Sequence, residues 1–281
     1  MSWSRVLMLR GIAAAILLSV TAAAQAQFPG SVPDTFRLNA GGMYAWFNTD
    51  VTFEQNGGAG AAVNFEDVLN LPGSRGGFFG RGSLNFGFLS FDFGYVGFSR
   101  SRGTTISQDI IFGDATYTAG ASVEAKEKSQ LPYGDIRFNF LHNPSTQLGL
   151  TLGVAYPILE AQLSASAGVV GPGGPVVGQT VTKEGKISTP VPLLGIVFDA
   201  ALGNEVSAGI LFNGIFAPVH PYVGSIFQAD VHVDWYFAQH FGVGGGFNYT
   251  RFRIKRDDLP NALVDFRHDF YGPRAYFTAT F

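Results

Sequence analysis

Behind Phe281, every second side chain is apolar. Phe277, Ala279 and Phe281 fall on one side of the chain, and Arg274, Tyr276, Thr278 and Thr280 fall on the other. A period of two is the spacing of a strand whose faces meet different surroundings. The same alternation runs through 223–237, where Val223, Phe227, Ala229, Val231, Val233, Trp235 and Phe237 oppose Gln228, Asp230, His232 and Asp234. Ten such segments can be followed. They lie at 35–49, at 77–86, from Leu89 through Phe91, Phe93 and Tyr95, down to His142, at 148–156, at 188–200, at 206–212, at 223–237, at 241–249 and up to Phe281.

The connections between them alternate in length. Short turns are predicted at 85–87, 142–145, 202–204 and 238–240, and longer connections at 50–76, 101–120, 165–183, 216–222 and 256–264. Gly-rich composition in the first and third long connections predicts mobile tips rather than packed segments. Per-segment signals of this kind leave eight to twelve strands open, with about ten the best count.

A soluble sheet protein can alternate in the same way, and the start of the chain decides between the two. Arg5 and Arg10 precede an apolar run over 11–24, too short to span a bilayer as a helix, and Ala24-Gln25-Ala26 supplies a small-x-small cleavage site. Residues 1–26 therefore read as a secretory signal peptide, and 27–281 as a single exported domain.

Removing the two signal arginines leaves 16 Lys plus Arg against 21 Asp plus Glu, a formal charge of 16 − 21 = −5, with no basic stripe for nucleic acid. There is no cysteine, hence no disulfide framework and no thiolate metal site. Charged residues make up 14% of the chain, against roughly 25% in soluble domains. The longest uncharged stretch after the signal, 206–229, is broken by Asn213, Pro218, His220 and Pro221, so no spanning helix is expected. Only helices and closed barrels satisfy their backbone groups inside lipid. The prediction is an all-β, transmembrane, antiparallel up-and-down β-barrel.

At this point the chain resembles bacterial outer-membrane β-barrel proteins. In that class a terminal aromatic with apolar residues at alternate positions is the assembly signal, which the resemblance assigns to Phe277, Ala279 and Phe281. More narrowly, the chain is similar to a functionally uncharacterised family of outer-membrane barrels. The similar stretches run from Val63 to Pro72 and from Asp109 to Asp114, followed by Tyr117-Thr118-Ala119-Gly120. The resemblance implies residence in the bacterial outer membrane, both termini periplasmic and long loops extracellular. The implied partners are lipid, lipopolysaccharide and, during biogenesis, the barrel assembly machinery.

The polar faces collect Arg37, Arg81, Asp92, Asp135, Arg137, Asp199, Glu205, Asp230, His232, Asp234 and Arg274. In lipid each would cost several kcal/mol near the midplane, so they are assigned to the lumen as a charge network. Arg137 is expected to pair with acids on other strands, Asp92 among them. Barrels with wide aqueous bores need ~16–18 strands, so a lumen filled by side chains is expected. Arg251, Arg253, Lys255 and Arg256 close the ninth segment as a basic cluster, a candidate contact for lipopolysaccharide phosphates just above the interface marked by Tyr249. His220, and His268 beside Asp265 and Asp269, are the residues an outer-membrane hydrolase would draw on, and Asp230, His232 and Asp234 share one face. Strand residues two apart stand ~7 Å apart at their roots, and catalysis, a metal and a cofactor are not expected. The functional expectation is a structural or surface-interaction role. A narrow channel for small solutes or hydrophobic molecules is the alternative, and an outer-membrane hydrolase the third reading.

Overall fold

The computed structural model describes residues 35–53, 62–112, 115–171, 173–176, 179–219, 222–256 and 264–281. The expected signal peptide and His220 lie outside them. In chain order the strands are β1 (Phe36–Phe53), β2 (Ala62–Asn64), β3 (Ser74–Phe86), β4 (Leu89–Thr105), β5 (Ile110–Phe112) and β6 (Ala115–Tyr117). Next come β7 (Ser122–Asn143), β8 (Thr146–Ala155), β9 (Ile158–Ala165), β10 (Val169–Gly171), β11 (Gly174–Val176) and β12 (Val181–Ser188). The last are β13 (Val191–Ala201), β14 (Val206–Val219), β15 (Tyr222–Ala238), β16 (Phe241–Arg256) and β17 (Val264–Thr280).

Ten of these form a closed antiparallel ring in the order β7-β4-β3-β1-β17-β16-β15-β14-β13-β8, with β8 returning to pair β7. The first and last strands close the ring, and Phe36 and Phe281 exchange two backbone hydrogen bonds of 2.9 Å where the ladder ends. β9 and β12 prolong β8 and β13 past the ring, β9 pairing the upper half of β7. Pro157 and Pro190 lie at these two junctions, and neither has an N–H to donate, in keeping with the break in both strands there.

The four short turns lie at the end that carries the termini; the expected positions hold, down to Gly87 at φ +74° in the turn after β3. The opposite, loop end differs from expectation. Across the connection expected at 216–222, β14 and β15 stay paired as far as Val219 and Tyr222. Strands run well beyond the ~11 residues a bilayer needs, β7 reaching 22 residues.

The segments expected to be mobile are also packed where they are described. Residues 63–71 bury Val63, Phe65, Leu69 and Leu71. β10 and β11 join β5 and β6 in a small four-stranded sheet, and Tyr117 on β6 donates its hydroxyl to the Leu163 carbonyl, 3.0 Å. Apolar residues in a long connection can bury against a wall already formed.

The ring has inverted polarity. Leu38, Tyr44, Trp46, Phe78, Phe91, Phe93, Phe138, Leu150, Leu152, Leu194, Ile196, Phe212, Phe227, Trp235 and Phe247 are exposed on the outside, while Asn39, Ser90, Asp92, Asp135, Arg137, Thr151, Asn213 and Asp230 are buried inside. Inside, the ring has two tiers. The half toward the termini is polar. The half toward the loops is a hydrophobic core that includes Phe47, Phe98, Leu131, Leu159, Leu193, Phe252, Phe266 and Phe270.

Phe93 lies mid-strand on the outward face, opposite Gly82 on one neighbour and Gly134 on the other. Phe93→Arg is expected to destabilise the barrel in lipid by ~2–4 kcal/mol, with Phe93→Leu close to neutral. Denaturant titration in lipid vesicles measures this; an Arg variant as stable as the parent would place Phe93 on the inside.

Candidate functional site

Alternation brings polar side chains from all ten ring strands to the inside, and register decides which of them meet. Asp92 lies opposite Asp135 across β4 and β7, and Ser90 opposite Arg137. Arg137 turns its Nε to Asp92, 3.2 Å away, and its Nη1 to Asp199 on β13, 3.1 Å away. It also donates to Asn85 at 3.0 Å and Ser83 at 3.3 Å. The His232 ring sits between carboxylates, 3.5 Å from Asp199 and 3.4 Å from Asp230. Asp230 accepts from Arg274 on β17 at 2.6 Å, and Asp234 accepts from the Tyr276 hydroxyl at 2.7 Å. Asp92, Arg137, Asp199, His232, Asp230 and Arg274 thus form one chain of contacts that crosses the lumen and ties β4, β7, β13, β15 and β17 together.

Arg37 and Arg81 line the space beside this chain. Among the described residues, the space holds cavities that include two of about 30 Å³, each with room for about two waters. Arg37, Asn85, Asp92, Arg137, Gln147 and Asp199 line one; Phe79, Tyr95, Tyr133, Gln228 and Arg274 line the other. Arg81 lines both and lies within electrostatic reach of Asp92, Asp199 and Asp230. Glycines on facing strands make room for the charged side chains. A Cβ on Gly209 would stand 2.2 Å from the Asp199 carboxylate, and one on Gly153 2.0 Å from that of Asp135.

Glu205 is the exception among the residues assigned to the lumen. It precedes β14, in the turn, is exposed, and accepts from the Trp235 indole N–H at 3.3 Å. Alternation does not mark where a strand starts, and Glu205 falls one residue before it.

Outside, Tyr44, Trp46, Tyr271 and Tyr249 form a connected aromatic belt on β1, β17 and β16, with centroid separations of 5.7, 5.8 and 6.3 Å. Directly above it Arg251 makes a forked pair with Asp269, 3.0 and 2.7 Å, and its guanidinium lies 5.8 Å from the Tyr249 ring centre. Arg253 makes a second forked pair with Asp265, whose carboxyl it holds below the usual range. Lys255 Nζ is 3.6 Å from Asp265. The cluster is therefore exposed but carries its own acids. Arg256 pairs through its backbone with Tyr222 and Val264. At the termini end Phe277 and Phe281 point outward, 72% and 59% exposed, with Ala279 between them and the His240 ring stacked on Phe281 at 5.2 Å.

A second cluster, above the belt and inside, was not expected. Arg100, 1% exposed, donates to Glu127 and Glu66, both at 2.5 Å, to Thr49 Oγ1 at 2.9 Å and to the Pro72 carbonyl at 3.0 Å. His268 has no exposed surface. Its Nδ1 lies 3.0 Å from Thr49 Oγ1 and 3.4 Å from Glu127, and the rings of Phe252, Phe47, Phe270 and Phe266 stand 5.1 to 6.0 Å away. Burial, with Arg100 adding to it, pushes its pKa down to about 3, so the imidazole is neutral and its Glu127 contact is not an ion pair. Asp265 and Asp269 lie on the opposite face of β17, so they do not act with His268. The signal for this cluster was the alternation of β4, which continues through Val96 and Phe98 to Arg100. No group of three or more His, Asp or Glu among the described residues is arranged to hold a metal ion.

A closed ring, apolar outside and charged inside, satisfies every requirement for backbone in lipid. The chain is a membrane-spanning β-barrel of the outer-membrane type. Solved structures to which it is similar include the outer-membrane protease OmpT of Escherichia coli, at 13% identity over 90% of this chain and 98% of that one, TM-score 0.49. The toluene transporter TodX of P. putida is 8% identical over 89% and 91%, TM-score 0.33. Neisserial surface protein A is 12% identical over 88% and 97%, TM-score 0.27. No family model and no curated protein matches the chain.

Removing Arg137 strands the buried carboxylates of Asp92 and Asp199. Arg137→Ala is expected to cost ~3–5 kcal/mol of stability, read from denaturant titration of the folded barrel. A loss below about 1 kcal/mol would mean that water reaches those carboxylates freely.

Proposed function

We propose that this protein is an outer-membrane barrel with a sealed interior, acting through its surfaces rather than by passing or converting a solute. The interior carries this reading: an apolar tier at the loop end, and below it ion-paired side chains around cavities with room for about two waters each. An even number of strands with short turns at one end supports an orientation with both termini in the periplasm and the long connections outside. Phe277, Ala279 and Phe281, outward at the termini end, support their reading as the signal read by the assembly machinery. His232 and His268 are both buried behind other side chains, which supports a role other than hydrolysis.

Arg251, Arg253 and Lys255, exposed above the aromatic belt, support contact with lipopolysaccharide phosphates. Their acid partners lower the net charge of the patch, and those same carboxylates can share divalent cations with the phosphates. Substituting all three by Ser should lower the lipopolysaccharide retained by purified barrel at least severalfold, with folding unchanged by heat-modifiable migration. Equal retention would remove these residues from the contact.

The two cavities that meet at Arg81 favour a narrow channel as the second reading. Planar-bilayer recording separates the two. A sealed barrel shows no single-channel steps. Discrete steps in the parent that change size in Arg81→Ala would overturn the sealed reading and make the channel the function.

A further inference from the structure

The wall of the barrel is not continuous above the belt. Pairing of β1 with β3 stops at Trp46 and Ser74, and pairing of β3 with β4 stops at Phe78 and Gly97. Above these points β4 is paired with β7 alone, from Phe98 to Thr105. The gap between upper β1 and upper β4 is filled by residues 62–73. Their backbone attachment to the wall is slight. β2 contributes three residue pairs to β1, and two further hydrogen bonds run from Phe65 N to Thr49 O and from Phe47 N to Gly73 O, 3.0 and 2.9 Å. Asn70, in the middle, has φ +51° and is the one non-glycine among the described residues with a positive φ. Asn tolerates that region better than most residues.

Asn64 donates its side-chain amide to Asn48 and Asp50 on β1, 3.1 and 2.9 Å, and beyond it the segment is held by Arg100. It reaches the segment at Glu66 and the Pro72 carbonyl and the wall at Glu127 and Thr49, and Glu66 also accepts from the Thr49 backbone N–H at 2.8 Å. Behind it the space is apolar. The Phe47, Phe98 and Phe270 rings pack 5.0 and 5.4 Å apart in sequence, and Val63, Phe65, Leu69 and Leu71 of the segment belong to the same core. A wall meant only to be stable would be as well served by apolar side chains, because desolvating an ion cluster offsets its attraction. A charged contact on a short, weakly laddered segment is instead lost as a unit when one partner is removed.

We propose that residues 62–73 are a displaceable wall panel, latched by Arg100 through Glu66, over a chamber that takes a small apolar molecule. In the structure the chamber is filled by the panel's own Phe65, Leu69 and Leu71. When the panel swings out, the vacated space is lined by phenylalanine and aliphatic side chains, and apolar cavities of that kind stay dry and bind aromatic molecules. The opening faces sideways, just above Tyr44 and Trp46, where a molecule partitioned into the membrane interface would arrive. This goes beyond the sealed resting state, which it requires as its closed form.

The chain has no cysteine, so introduced thiols report without background. Leu69→Cys on the panel and Leu193→Cys on β13, both nearly without exposed surface, are treated with a maleimide in the folded barrel. The panel thiol is expected to react at least tenfold faster than the β13 thiol, and a further tenfold faster in the Glu66→Gln background. Equal inertness of the two thiols in both backgrounds would overturn the panel.

A second readout covers the case in which Glu66→Gln fails to fold. Val51→Cys with Val63→Cys places a thiol pair across β1 and β2, where these residues face each other. In detergent micelles, above the signal from protein-free micelles, the fluorophore N-phenylnaphthylamine should bind saturably to the reduced protein, with the oxidised, locked protein at least fivefold weaker. Equal binding in the two states would overturn the chamber, whatever the thiol rates.

Discussion

Inside lipid there is no water to take up an N–H or a carbonyl, and everything else in this protein follows from that. A sheet meets the condition only if it has no edge. Here the first strand must find the last, across more than two hundred residues of chain, and the β1–β17 ladder from Arg37–Thr280 to Phe53–Val264 does so. Once the ring is closed, each strand has one face to lipid and one to the interior. The period of two is the sequence's way of meeting both demands with one backbone.

Closure creates a second problem, which is what to put inside. The chain answers differently at two heights. At membrane level it places four arginines and five aspartates in the lumen, Arg37, Arg81, Arg137 and Arg274 with Asp92, Asp135, Asp199, Asp230 and Asp234. With His232, contacts among them link strands that are not neighbours in the ring, β7 to β13, β13 to β15 and β15 to β17. Backbone ladders hold each strand to the next, and the charge network holds opposite walls. Above the aromatic belt the interior turns apolar, as in a soluble core, and a single buried arginine with two glutamates stands in it. Ion pairs in such a place are sensitive to the loss of any one partner.

The faces of the ten strands are legible from the sequence because alternation is enforced twice per residue pair, by lipid and by lumen. Phe91 and Phe93 against Ser90 and Asp92 could be assigned without coordinates. So could the Arg137–Asp92 contact, because β4 and β7 are consecutive in the ring. Three features escaped, each for a physical reason. Glu205 fits the alternation but sits in the turn before β14, since period says nothing about where a ladder begins. His268 was read with Asp265 and Asp269 because they are close in sequence; on a strand, odd separations put side chains on opposite faces. Residues 62–73 read as part of a loop tip because of the glycines just before them, while Val63, Phe65, Leu69 and Leu71 bury against the barrel interior in a segment with only three strand residues. The charged latch needed the fold, since Glu66, Arg100 and Glu127 lie on three separate segments.

The central claim is that the inside of the ring is closed to bulk water. Single cysteines at Ser90, Thr151 and Thr250, inward positions with at most 1% exposure on three different strands, test it directly in this cysteine-free chain. The variants are folded into lipid vesicles and exposed on both sides to a small, charged thiol reagent. The account predicts that all three stay unmodified over hours, while a cysteine at exposed Arg102 on upper β4 reacts within minutes. Fast modification at all three inward positions, in barrels that keep their folded migration, would mean a water-filled lumen and contradict the account.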